Sequence, residues 1–109
     1  MSITQSITAK GFFPSGEAYV RGTATFDSLY AASGGETLDL SAYIATATYP
    51  TVLCGVDDGY VGVHNRGTAA AGKVGLYRCG IANAVLLEAA LNTNAAAVVI
   101  TFLAIGQAA

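Results

Sequence analysis

No part of this sequence sustains a helical repeat of apolar residues over a dozen positions, although the chain is rich in alanine. Its apolar residues fall instead in short, often alternating runs, separated by Gly, Asn, Asp and Pro at spacings of about 8–12 residues. Such spacing is typical of antiparallel sandwiches and barrels. The 109 residues are enough for one hydrophobic core. We therefore predict a single all-β domain, an antiparallel β-sandwich or jelly roll with about seven or eight short strands.

The strand signal is concentrated in a few segments. Residues 60–64 and 74–78 resemble each other, so we expect them to pair as a hairpin whose tip, residues 66–72, is small and exposed. Residues 97–105 are apolar on both faces, which predicts a central strand. Residues 27–40 are predicted as a loop, and residues 41–45 as one helical turn capped by Asp39 or Ser41. The remaining predicted strands are 18–26, 49–56 and 84–91, the last as a strand or a strand followed by a turn.

Residues 1–17 are predicted to form an extended N-terminal arm that precedes a β-sandwich domain at residues 18–109. The arm carries Ile3, Ile7, Phe12 and Phe13 among small polar residues, Gly and Pro, with no helix start or stop signals. Such an arm could add a strand to a neighbouring molecule or lie across a joint between subunits. A first strand of the same domain is an equally good interpretation.

Charge is scarce in this chain. Charged residues make up 11% of it, against a usual ~25%, and the net charge of −2 leaves no basic patch for nucleic acid or an anionic membrane. The longest apolar run, residues 95–105, is about half the ~20 residues that a membrane helix needs. The first residues lack a signal-peptide pattern, so we expect the protein to stay in the cytosol or to be released by lysis. A surface this poor in charge favours a structural or assembly protein over an enzyme.

Few residues could carry chemistry. Cys54 and Cys79 are predicted as buried free thiols, with a disulfide possible if their strands are neighbours. Together with His64, the only histidine, they are too few for a zinc site. Arg66 could bind a carboxylate, although a strand end running into a polar turn is the favoured interpretation of His64-Asn65-Arg66.

Two short motifs are predicted as simple turns. Asp57-Asp58-Gly59 lacks the ligand pattern of a calcium loop, and Gly34-Gly35-Glu36 lacks the spacing of a phosphate-binding loop. Aromatic residues could form a sugar-binding face or a protein interface, although half or more are expected in or beside the core. The tyrosines concerned are Tyr19, Tyr30, Tyr43, Tyr49, Tyr60 and Tyr77. We therefore predict no catalytic, cofactor-binding or metal-binding residues.

Three segments together resemble a layout found in small structural proteins of tailed bacteriophages. They are residues 30–40 (YAASGGETLDL), residues 72–77 (GKVGLY) and the closing apolar residues 101–106 (TFLAIG). The resemblance covers roughly residues 22–106 and leaves the first 20 unmatched. It implies a virion protein, most plausibly a head decoration (cement) protein on a β-sandwich or jelly-roll core, of the kind that sits as trimers between capsomers. That family supplies no catalytic residues.

The function expected from these observations is capsid stabilisation. A homotrimer on the outer surface of the capsid would bridge adjacent capsomers and bind the major capsid protein, after synthesis in the cytoplasm of the host bacterium. Contacts made only in the assembled shell add to the stability of that shell. The alternative is a tail- or fibre-associated module that recognises a host receptor or glycan through residues 66–72 and the tyrosines. An enzyme using His64 with Asp57 or Glu88 is the weakest possibility. The residues expected to make interface contacts are Ile3, Ile7, Phe12 and Phe13, followed by Tyr30 and Leu38.

Overall fold

The computed structural model describes residues 3–27, 30, 35–57, 59–65, 67–79, 86–89, 95–96 and 98–109, without the side chains of residues 79, 86 and 87. All the regular structure in these ranges is β, in two antiparallel sheets, which confirms the predicted all-β single domain; the two layers are those of a β-sandwich. The strands are β1 (Thr4–Phe12), β2 (Glu17–Thr25), β3 (Glu36–Thr37), β4 (Thr51–Cys54), β5 (Val56–Asp57), β6 (Tyr60–His64), β7 (Lys73–Cys79), β8 (Leu86–Glu88) and β9 (Val99–Gln107).

The first sheet has the strand order β1-β2-β9-β4. β9 pairs with β2 from Glu17↔Gln107 to Thr25↔Val99 and with β4 on its other edge, which confirms the predicted central strand near the end of the chain. Alternate residues of β2 and β9 are buried because successive side chains of a strand point to opposite faces. The buried set, which faces the second sheet, includes Val20, Ala24, Ile100, Phe102 and Ala104.

The second sheet is built around β7, with β6 on one edge and both β3 and β8 on the other. β6 and β7 form the predicted hairpin, in register from Val61↔Tyr77 to His64↔Val74. β5 completes the sheet beyond β6. Because β3 and β8 pair with opposite ends of β7, the middle of that edge has no strand beside it within the described residues.

The hydroxyl of Tyr30 occupies this gap. It accepts a hydrogen bond from the backbone N–H of Leu76 at 2.9 Å and donates one to Oε2 of Glu88 at 2.6 Å. Burial of the phenol, followed by the carboxylate of Glu88, raises the pKa of Tyr30. The ring of Tyr30 is fully buried and lies 6.0 Å from that of Phe26. A side chain thus supplies the acceptor that a neighbouring strand would otherwise provide.

The two sheets are joined at Gly55, between β4 and β5. Its N–H donates to the carbonyl of Thr101 in the first sheet at 2.8 Å, and its carbonyl accepts from Gly62 in the second at 3.0 Å. The predicted strand at residues 49–56 is therefore two strands, because the chain changes sheet at this residue. A corner of this kind lets one segment of chain serve both layers.

The segment predicted as an arm is the edge strand β1. Residues Thr4–Phe12 pair with β2 along their length, with one irregularity between Ile7 and Ala9, so an arm separate from the domain does not describe residues 4–12. Ile3 and Ile7 pack against the core. Near the start of the strand, the side-chain amide of Gln5 both donates to the carbonyl of Asp39 at 3.0 Å and accepts from its N–H at 3.1 Å. These bonds tie the edge of the first sheet to the second layer.

The structure also describes most of the tip at residues 66–72 and the turn that follows Asp39. The tip at residues 66–72 is not fully exposed: Ala69 is buried, its N–H donates to Thr48, and its carbonyl accepts from Leu40. Residues 41–45 form a turn that begins with the N–H of Ser41 donating to Oδ1 of Asp39 at 2.9 Å, so Asp39 caps it as expected. The predictions at Gly34, Asp58, Arg66, residues 84–85 and 90–91, and the side chain of Cys79 lie outside the described residues.

Candidate binding surface

The described residues hold no group of three or more His, Cys, Asp or Glu side chains placed to bind a metal. Burial lowers the pKa of His64 and raises the pKa of the Cys54 thiol to about 11. His64 is therefore neutral and Cys54, a free cysteine, is protonated at neutral pH. No helix that the structure describes is long and apolar enough to cross a membrane.

Among the described residues, one buried carboxyl group has an oxygen that lacks a hydrogen-bond partner. Glu36 is 3% exposed, and its Oε2 has no hydrogen-bond partner within the described structure. Burial raises its pKa above the ordinary value of 4.5, and the carboxyl group of Asp27, which is hydrogen-bonded to it, adds to the shift. Two acids that share a site hold one proton more tightly than either would alone. The pair gives the fold a pH-dependent component of its stability.

Replacing Glu36 by glutamine should flatten the pH dependence of unfolding. Since the folded-state pKa is raised, the stabilisation is present below the unfolded-state value and is lost as pH rises through the folded-state value. Urea unfolding from pH 4 to pH 8 should therefore show Glu36→Gln gaining stability over the wild type as pH increases. Asp39→Asn, at a carboxyl group whose pKa is lowered by hydrogen bonds from Ser41, should instead lose stability relative to the wild type as pH rises, and mainly below about pH 5, where the stabilisation from a lowered pKa develops. Parallel profiles for wild type and Glu36→Gln would contradict this explanation.

The outward side of the first sheet is an uncovered four-stranded surface, which we call the first outer face. Because side chains alternate along each strand, the pairing register fixes which residues share it. All of them are exposed or half-buried, and only Glu17 and Arg21 among them are charged. The members are Thr4, Ser6, Ala9, Gly11, Glu17, Tyr19, Arg21, Thr23, Thr25, Thr51, Leu53, Val99, Thr101, Leu103, Ile105 and Gln107.

The centre of the first outer face is apolar. Leu53 of β4, 60% exposed, lies directly opposite Leu103 of β9, and Ile105 is the next outward residue of β9. Ile105 pairs in turn with Tyr19, whose ring lies 5.4 Å from that of Phe13. Solvated faces of antiparallel sheets normally carry polar side chains. The cluster is interrupted by Arg21, which lies opposite Leu103 on β2, and by Thr51, which lies opposite Ile105 on β4. Exposed apolar side chains grouped at the centre of a sheet mark a surface suited to a partner.

The outward side of the second sheet, the second outer face, has an apolar patch on β5 and β6, while Lys73 and Glu88 share this side on β7 and β8. Val56 pairs with Val61, and Val61 pairs with Tyr77. Val63 is the next outward residue of β6, and the three valines are exposed. Large apolar side chains therefore reach solvent on both sides of the sandwich.

The hairpin between β1 and β2 is a third apolar feature. The N–H of Gly16 donates to the carbonyl of Phe13 at 3.0 Å, and the N–H of Phe13 donates to Glu17 at 2.8 Å. With Pro14 inside the turn and Gly16 at φ 91°, this is a three-residue loop closed by a left-handed glycine. Phe12 and Phe13 stand at its base, 74% and 40% exposed.

No family model, curated protein or solved structure matches the chain. Function is therefore argued from the surface of this molecule and from the resemblance described above.

The residues predicted to make contacts divide into three groups. Phe12 and Phe13 are exposed at the hairpin, as a contact role requires, whereas Ile3 and Ile7 are half-buried against the core. Tyr30 and Leu38 are fully buried core residues and are not free to meet a partner, so that part of the prediction is wrong. Their segment is predicted as a loop, but Glu36–Thr37 within it form β3 of the second sheet, and Tyr30 and Leu38 belong to the core.

Sequence reasoning missed the outer-face residues Leu53, Val56, Val61 and Val63. Short apolar runs contain Leu53, which follows Val52, and Val61, which follows Tyr60, whereas Val56 and Val63 each stand between a glycine and a polar residue. The pattern does not show which side of β4 or β6 faces solvent, and each of these strands has only one side turned to the core. The available signal was the shortness of these runs, which suits strands beside a corner rather than central strands.

Proposed function

We propose that the protein is a virion structural protein that decorates a bacteriophage capsid and stabilises it by bridging adjacent capsomers, as a homotrimer on the outer surface. The observation that carries the proposal is the exposure of apolar side chains on both outer faces of one rigid sandwich. A bridging protein needs two contact surfaces held in fixed relation. The phage capsid and the trimer are contributed by the sequence resemblance.

The dimensions of the molecule support a role with several contacts. Strands of nine residues in a four-stranded sheet give an outer face of roughly 30 Å by 15 Å. A standard protein interface buries about 800 Å² on each partner. One face alone falls short of that area, so stable attachment needs more than one contact surface. Weak contacts that act simultaneously bind far more tightly than either alone.

A charge placed on either outer face should weaken shell binding. We expect Leu53→Glu, on the first outer face, and Val63→Glu, on the second, each to reduce the affinity for purified capsids about tenfold or more, because a charge would be buried at an apolar contact. The measurement is co-sedimentation with expanded capsids of the same phage. Thr46→Glu adds the same charge in an exposed turn and serves as the matched control.

The pattern of losses distinguishes bridging from simple attachment. Loss with both variants, and none with Thr46→Glu, is the bridging result. Loss with only one variant would leave a protein attached through a single face, and binding that survives both substitutions would exclude the outer faces. Thermal unfolding of each variant checks that the fold is intact.

The alternative function, a tail- or fibre-associated module that recognises a receptor or glycan, stays a prediction. The surface expected for it is largely occupied. Tyr60 and Tyr77 are half-buried, the guanidinium of Arg78 lies 5.4 Å from the ring centre of Tyr60, and Ala69 is buried. A glycan-stacking platform needs an open aromatic face.

A further inference from the structure

A cleft of about 310 Å³ lies at the hairpin end of the sandwich and shares only Gly11 and Tyr19 with the first outer face. Its walls are the inward side of the β1–β2 hairpin and the turn at residues 42–43. Lys10, Phe12 and Ala18 come from the hairpin, with Tyr43 opposite them; Gly11, Tyr19, Ala42 and Ala109 complete the lining. The volume is at the lower end of the range for ligand-binding clefts.

The cleft is apolar, with a single charged side chain. The Lys10 ammonium lies 5.3 Å from the centre of the Tyr43 ring, which holds it at the wall of the cleft. Phe12 is 74% exposed although it lies on the inward side of its sheet, level with buried Ala18. The inward side of the first sheet therefore extends beyond the part that the second layer covers. The uncovered part has room for an apolar group beside the positive charge of Lys10.

The edge of β1 runs along the same cleft. β1 is the outermost strand of its sheet, so the edge turned away from β2 presents backbone N–H and C=O groups that pair with no other strand among the described residues. Gln5 bonds to Asp39 near the start of β1, which leaves the part near residues 9–12 as the open portion. A strand added there would place every second side chain on the inward side, where the cleft lies.

We propose that this cleft binds an extended peptide segment of another protein, which adds as a strand to the open part of β1. One apolar side chain of the segment enters the space between Phe12 and Tyr43, and an acidic side chain of the segment pairs with Lys10. Backbone pairing supplies affinity, and the cleft with its ammonium supplies selectivity for an apolar residue near an acidic one. Leu53 and Val63, the residues tested for capsid contact, do not line this cleft, so the two kinds of binding can be tested separately.

Selection from a random hexapeptide library displayed on yeast tests the proposal directly. The wild-type protein should enrich peptides that carry an aromatic or aliphatic residue and an Asp or Glu with alternating spacing. Phe12→Ser should lose this enrichment. Leu53→Ser changes an exposed apolar side chain that does not line the cleft, and should retain it. Absence of enriched peptides, or equal enrichment by Phe12→Ser, would overturn the proposal.

The most strongly enriched peptide then separates two contributions to binding, the backbone pairing with β1 and the charge contact with Lys10. N-methylation of its alternate amides should weaken binding about tenfold or more, because backbone pairing is blocked. Lys10→Met should weaken binding of the acidic peptide roughly three- to fivefold. It should not weaken binding of the same peptide with Asn or Gln in place of its Asp or Glu. Lys73→Met is the control for the loss of a positive charge. If 3-phenylpropionate binds as well as the peptide, the cleft is a small-acid site and the strand is excluded. A dimer of the free protein that Phe12→Ser abolishes would assign the edge to a second copy and also overturn the proposal.

Discussion

Replacing Gly35 by alanine should lower the free energy of unfolding by about 3–5 kcal/mol, a large part of the stability of a domain this size. Gly35 has φ 101°, in the left-handed region, and stands immediately before β3. A Cβ atom there would fall on the carbonyl oxygen of Val74 in β7, to which β3 is paired. Both the backbone conformation and the close approach of two strands therefore require glycine. The measurement is urea unfolding at equilibrium.

Gly59→Ala is the matched control for this prediction. Gly59 also has a positive φ, 79°, but a Cβ atom at that position would meet nothing within 4 Å. Only the conformational part of the cost applies, about 1–2 kcal/mol. Equal losses for the two variants would show that the contact with Val74 contributes nothing.

Tyr30→Phe should cost about 2–4 kcal/mol, although it removes a single oxygen atom. Without the hydroxyl, the N–H of Leu76 loses its acceptor in the interior of the protein, and Glu88 loses a hydrogen bond of 2.6 Å. An unsatisfied buried donor carries its full desolvation cost, which exceeds the net worth of an ordinary hydrogen bond. Thermal and urea unfolding measure the loss, and hydrogen exchange at the Leu76 amide should accelerate.

Tyr43→Phe separates the hydroxyl effect at Tyr30 from a general effect of the substitution. The Tyr43 ring is half-buried against Lys10, and its hydroxyl forms no hydrogen bond within the described part of the chain. We expect a change of less than about 0.5 kcal/mol there. A comparable loss in both variants would mean that the bond to Leu76 is not what stabilises β7.

The elements that depend on local pattern could be predicted from the sequence. β2, β9 and the β6–β7 hairpin each alternate or run apolar over enough residues for their period to be clear, and the turn at Asp39 uses a residue type that caps by itself. The central position of β9 followed from its two apolar faces. The fold class followed from the spacing of these signals.

Features that depend on distant contacts could not be predicted. β1 alternates poorly, and its membership of the sheet comes from pairing with β2 through the turn at Pro14–Gly16, a signal present in the sequence but not used. The sequence around Tyr30 is typical of a polar loop. Its buried position depends on Leu76, 46 residues later, whose backbone N–H donates a hydrogen bond to the Tyr30 hydroxyl. Removing residues 2–14 would therefore delete an entire strand, so it tests folding as much as binding.

The position of β9 has a consequence for synthesis. The first sheet places its last strand between β2 and β4, pairing Glu17 with Gln107. A nascent chain can form the β1–β2 and β6–β7 hairpins while it is being made, but neither the first sheet nor the core around Phe102 can be completed before β9 has left the ribosome. Contacts this distant in sequence slow folding, and the unpaired edge of β2 is exposed until they form. Rapid synthesis of many copies would therefore leave many incomplete chains with an exposed edge of β2, through which they could aggregate.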